Sequence, residues 1–158
     1  MMQLLLWLPV IALPAVNMII AIASDVDCDV RGIFPWILGA AAEELFFRFF
    51  LLKKVLLETT KLKPTLSIFL VSMLFAAMHL FNLRAGQPLS ATLAQVFAAF
   101  CFSIWAGAVM WKKGDLLIPL LAHVLLNLSA LTEGTTISLI VSAFVLTDGF
   151  MLILGEMY

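Results

Sequence analysis

The sequence predicts an all-α membrane protein, a compact bundle of about six transmembrane helices. Three observations carry that expectation. The chain has 158 residues, of which 64% are hydrophobic and 12% charged, whereas soluble domains are about 25% charged. Its mean hydropathy is +1.14. Finally, stretches at about 3–23, 33–57, 65–82, 90–111, 116–131 and 137–155 each approach the roughly 20 mostly apolar residues that a helix needs to cross a bilayer. A net charge of −1 leaves no clustered basic face for nucleic acid, and that partner class is excluded. The lipid bilayer is the partner that composition implies.

The first stretch contains Pro9, Pro14 and Asn17 and ends near Ala21-Ile22-Ala23. That ending has the small-x-small form of a cleavage site, but no basic region precedes the apolar run, so it reads as a retained span. An acidic connector with Asp25, Asp27 and Asp29 leads through Gly32 into the second stretch, where Gly39-Ala40-Ala41-Ala42 offers a seam of small residues for close helix approach. The later connectors carry turn or cap chemistry at Lys63-Pro64, Gly86 with Pro88, Gly114-Asp115 and Glu133-Gly134. Cys28 and Cys101 show no metal-ligand spacing. With no repeat and no long linker, residues 1–158 are expected to form a single domain.

Lysine and arginine in the connectors set the expected orientation. Lys53, Lys54, Lys61 and Lys63 in the second connector and Lys112 and Lys113 in the fourth stand against Arg31 in the first and Arg84 in the third. Both termini are therefore expected on the cytoplasmic side.

Ionisable groups at membrane depth are costly and mark functional sites facing the bundle interior. The second stretch holds Glu43, Glu44 and Arg48, and the third and fifth hold His79 and His123, the only histidines in the chain. Glu44 and Arg48 are four apart and share a helix face in the favourable order for an ion pair, so they are read as structural. Glu43 is rotated by about 100° from Glu44 and remains the free carboxylate. Phe75 with His79, and His123 with Asn127, are likewise four apart, each pair on one face. Three helices can bring Glu43, His79, His123 and Asn127 around one polar, water-holding cavity, with Phe75 packed under His79. Asp148 has no basic partner on its own stretch and is read as capping a break at Gly149 or lining the cavity. The aromatics of 46–50, with Phe97, Phe100, Phe102 and Trp105, are read as lipid-facing or core surface.

Glu43-Glu44-x-x-x-Arg48, Phe75-x-x-x-His79 and His123-x-x-x-Asn127 together resemble the three motifs of the CAAX prenyl protease and bacteriocin-processing (CPBP, or Abi) family of intramembrane proteases. All three occur in order, each within an apolar stretch, over a core of about residues 33–131. The resemblance implies an intramembrane endopeptidase that cleaves a membrane-associated protein or peptide, in a cell membrane of the bacterial type. It also implies that Glu43 and His79 activate a water while His123 and Asn127 stabilise the oxyanion, with Glu44, Arg48 and Phe75 supporting. Larger relatives have extra helices before the glutamate pair, so substrate entry and oligomeric state stay open.

These roles are also sound chemistry. Burial favours the protonated form of a carboxylate and so suits it to act as a base near neutral pH, and donors fixed in a dry site stabilise a developing oxyanion strongly. A zinc ion held by Glu43, His79 and His123, with water in the fourth position, is the minority reading, because no His-Glu-x-x-His spacing is present; the sequence commits to no cofactor. Two rivals stand beside the protease: a non-enzymatic membrane module of the bacteriocin-immunity or scaffold kind, and a proton- or metal-coupled transporter. The transporter lacks a pair of broken helices at matched positions in two halves.

Overall fold

The computed structural model describes residues 30–130 and 147–155, together with the isolated positions 12, 15, 16 and 19. The described residues are helical throughout, joined by short turns. Of the expected stretches, 3–23 apart from those four positions and 137–146 of the last lie outside the described residues, as do Asn17, Cys28 and Glu133-Gly134.

Helix α1, Val30–Glu44, starts ahead of Gly32 and runs through both Gly32 and Pro35. The expected break at Gly32 is therefore absent. Without water to take over backbone hydrogen bonds, a membrane helix tolerates glycine and proline that would end one in solution. At Leu45 the helix widens into π geometry and continues to Thr59, closing with Thr60 N–H to Val55 O at 2.9 Å, an i→i−5 bond. Ala40, Glu44, Arg48 and Leu52 are all buried at a spacing of four. Four residues overshoot a full α-turn by about 40° and undershoot the wider π-turn, so the change of geometry keeps this stripe on one face.

Helix α2, Pro64–Met78, carries proline in its first turn, where no amide donor is missed. It ends in a 3₁₀ turn, His79–Leu83. Ser67, Ile68, Val71, Ser72, Phe75 and Ala76 are buried on one face, while Leu66, Phe69, Leu70, Met73 and Leu74 are exposed on the other. Both faces are apolar, the pattern of a helix between protein and lipid.

Helix α3, Leu89–Lys113, is buried on all sides from Cys101 to Met110 and forms the centre of the bundle. Gly107 lets it meet two neighbours, since a Cβ there would lie 3.0 Å from Ile68 Cγ2 and 3.5 Å from Leu52 Cδ2. Gly114, at φ +66°, ends it with a backbone bond to Met110 O, a conformation that glycine adopts without Cβ strain. Asp115 Oδ1 then accepts from the amides of Leu117 (2.8 Å) and Ile118 (3.3 Å), starting α4, Leu117–Ala130, which packs on α1.

Helix α2 with its 3₁₀ turn, and α3, are each long and apolar enough to cross a membrane. Helix 30–59 is longer, but Glu43, Glu44, Arg48, Lys53 and Lys54 interrupt its apolar run. The aromatics divide between both expected surfaces: Phe47, Phe102 and Trp105 are buried, and Phe46, Phe49, Phe50 and Phe97 are exposed.

Candidate active site

Glu44 and Arg48, one turn apart on the stripe of 30–59, are both fully buried. Arg48 Nε donates to Glu44 Oε2 at 3.0 Å and Nη2 to Glu44 Oε1 at 3.3 Å, a bidentate pair, while Nη1 donates to Ser103 Oγ of α3 at 2.8 Å. The guanidinium carbon lies 4.7 Å from the centre of the Phe75 ring, within cation–π range. Removing two charges from water is costly unless geometry and hydrogen bonds compensate, and here almost every donor finds an acceptor or a ring.

Glu44 is more than the structural partner that its spacing predicts. Its Oε1 also meets His123 Nδ1 of α4 at 3.0 Å. A carboxylate paired with a guanidinium accepts, so Nδ1 carries a proton and Nε2 is left facing away from Glu44. That Nε2 lies 3.7 Å from Glu43 Oε2. His123 thus stands between the two adjacent glutamates, held by one and facing the other.

His79 is fixed in the same sense. Its Nδ1 is 3.0 Å from the carbonyl oxygen of Phe75, which can only accept, so the proton again sits on Nδ1 and Nε2 is left for the cavity. Phe75 underlies the whole group, with ring centres 5.2 Å from His79, 5.8 Å from His123 and 5.1 Å from Phe47.

A cavity of about 270 Å³ opens beside these groups, lined by Glu43, His79, His123 and Asn127 with Phe47, Phe75, Trp36, Met78, Asn82 and Gln95. The Glu43 side chain is 44% exposed there, whereas that of Glu44 is closed off at 1%. Adjacent carboxylates therefore occupy opposite environments, one open to the cavity and one sealed behind an arginine. Chemically, the arrangement provides a carboxylate and two imidazole nitrogens around a space able to hold water and a peptide group. Among the described residues, no group of three or more His, Cys, Asp or Glu side chains is drawn together as a metal-binding cluster.

The sequence pattern did not foresee Ser103, Trp36, Met78, Asn82 or Gln95 at the site. Asn82 and Gln95 carried a usable signal, being amides beside apolar stretches; Ser103 carried none. Asp148 caps no break, since the helix runs through 147–154. Its Oδ2 accepts from Trp105 Nε1 at 2.7 Å, and a Cβ on Gly149 would meet the Trp105 backbone at 3.0 Å, so this pair clips the last described helix against α3.

The sequence model of one protein family, described as type II CAAX prenyl endopeptidase Rce1-like, matches residues 30–129. That span holds the glutamate pair, both histidines and Asn127. No curated protein and no solved structure shows detectable similarity to the chain.

Proposed function

From its membership of the Rce1-like type II CAAX prenyl endopeptidase family, to which the chain belongs through residues 30–129, we propose that it is an intramembrane endopeptidase of glutamate type acting on a membrane-associated protein or peptide. A family of membrane-embedded CAAX proteases implies a substrate of that class; the assignment of roles is the reading offered here. The observation that carries it is the meeting of Glu43, His79, His123 and Asn127 on one cavity.

In this reading Glu43 and His79 Nε2 hold a water. Glu43 takes a proton as the water oxygen bonds to the peptide carbonyl carbon, and passes that proton to the amide nitrogen as the C–N bond breaks. Asn127 Nδ2 donates to the oxyanion. His123 Nε2 does the same in the imidazolium form, with Glu44 on one ring nitrogen and Glu43 near the other as counter-charges. Glu44, held by Arg48 and Ser103, fixes the ring. The whole of 1–158 acts as one intramembrane unit with both termini cytoplasmic.

Glu43→Gln tests the reading, since it keeps shape and removes the base. In proteoliposomes containing the full chain, a farnesylated CAAX reporter peptide and co-expressed membrane proteins are followed by mass spectrometry. Wild type is expected to release a C-terminal fragment and Glu43→Gln to release none. Unchanged cleavage by Glu43→Gln would remove Glu43 from the role of base, and no cleavage by wild type beside a cellular phenotype that survives the substitution would favour the non-enzymatic module instead.

A further inference from the structure

Asn82 and Gln95 face each other at the cavity, Asn82 from the 3₁₀ turn after α2 and Gln95 from α3, with Asn82 Nδ2 donating to Gln95 Oε1 at 2.8 Å. Each primary amide has two N–H donors and one carbonyl oxygen. Among the described residues neither side chain makes another hydrogen bond, so the pair retains one carbonyl oxygen and an unspent NH₂ group. Exchanging O and N in both amides leaves that inventory unchanged. Polar groups without partners at membrane depth are costly. A free C=O and a free NH₂ match the N–H and C=O that one residue of an extended chain presents on the same side.

The position of the pair fixes its register. Residues three apart eclipse in a 3₁₀ turn, with a rise of about 2 Å per residue. His79 and Asn82 are three apart in the turn His79–Leu83, so they stack on one side, about 6 Å apart along its axis. Two residues of an extended chain span about 6.6 Å. A strand-like substrate whose scissile carbonyl lies at His79 brings the backbone N–H and C=O of the residue two positions away against Asn82 and Gln95.

We propose that Asn82 and Gln95 form a backbone clamp that binds an extended peptide two residues from the scissile bond, independently of side-chain identity. This rests on the hydrolytic reading above for its register. The clamp aligns the peptide, and Asn82 and Gln95 are positioning residues.

Binding, read apart from turnover, tests it. The probe is a farnesylated CAAX hexapeptide with its set of single N-methyl-amide analogues, and the receptor is the full chain carrying Glu43→Gln in nanodiscs. The analogue methylated two residues from the scissile bond is expected to bind about tenfold more weakly, as is the unmethylated peptide to a receptor also carrying Gln95→Ala. Combining both changes is expected to add no further loss. In the active chain, Gln95→Ala is expected to raise KM and leave kcat. Where Gln95→Ala lowers folded yield, Gln95→Met, which keeps length without an amide, carries the comparison. Equal N-methyl penalties with and without Gln95, penalties independent of position, or no binding of the parent peptide would overturn the clamp. Wild-type turnover is a separate measurement: its absence beside an intact N-methyl pattern would sink the hydrolytic reading and keep the clamp.

Discussion

Arg48 spends its donors on Glu44 and Ser103 and stacks on Phe75, so replacing it strands a buried carboxylate. Arg48→Ala is expected to cost about 3–5 kcal/mol and Ser103→Ala about 1–3 kcal/mol, read as thermal unfolding in detergent; a wild-type melting curve for Arg48→Ala would mean that the pair does not hold the helix. Glu44→Gln separates holding from positioning. A glutamine removes the counter-charge and can turn its NH₂ toward His123 Nδ1, disfavouring the doubly protonated ring that donates from Nε2, an error of the kind that lowers kcat by about 10⁴ in a serine-protease triad. Here kcat is expected to fall by at least about 10², with KM little changed; an unaltered kcat would confine Glu44 to stability. The Glu44–Arg48 pair was legible because spacing along a helix is readable from sequence. Its links to His123 and Ser103 were not, because contacts 79 and 55 residues apart depend on which helices become neighbours.

At the scale of the element, small residues decide how closely the helices approach. Gly107 sits where a side chain would press on Ile68 and Leu52, and Gly107→Val is expected to destabilise by about 1–3 kcal/mol through overpacking. Pairing it with Ile68→Ala should return part of that loss; if the double variant is simply the sum of the two, the contact is not where the strain lies. Turn chemistry was readable in advance at Gly114-Asp115 and Lys63-Pro64, because a left-handed end, an amide acceptor and a first-turn proline are local preferences. The start of α1 was misread at Gly32, where the solvent-based rule for glycine fails in lipid. The passage from α to π geometry at Leu45 had no sequence signal of its own; it follows from keeping Ala40, Glu44, Arg48 and Leu52 on one face.

For the whole molecule, hydropathy made a helical membrane protein legible, and three short motifs marked the cavity before any helix was placed. Reporter fusions at each end check the orientation: both are expected to report the cytoplasm, and an external C-terminus would overturn the count of spans or the basic-residue argument. The buried Glu44–Arg48–Ser103–His123 network also has a consequence in time. Charged residues at the centre of a membrane helix cost about 2.5–3.5 kcal/mol each during insertion; Glu44 and Arg48 offset each other within helix 30–59, but their remaining hydrogen-bond partners, Ser103 and His123, are supplied by α3 and α4, which are synthesised later. The helix is thus expected to be poorly retained in the bilayer when first made and to be held once its successors arrive. Glycosylation mapping of chains truncated after residue 59 and after residue 130 should find low and high integration respectively, with Glu44→Leu and Arg48→Leu together restoring the short chain. Equal integration of both truncations would show that the helix enters on its own. Otherwise its biogenesis is a matter of waiting, and Glu43, one residue before Glu44, reaches its final depth only when the last of the helix's partners has been translated.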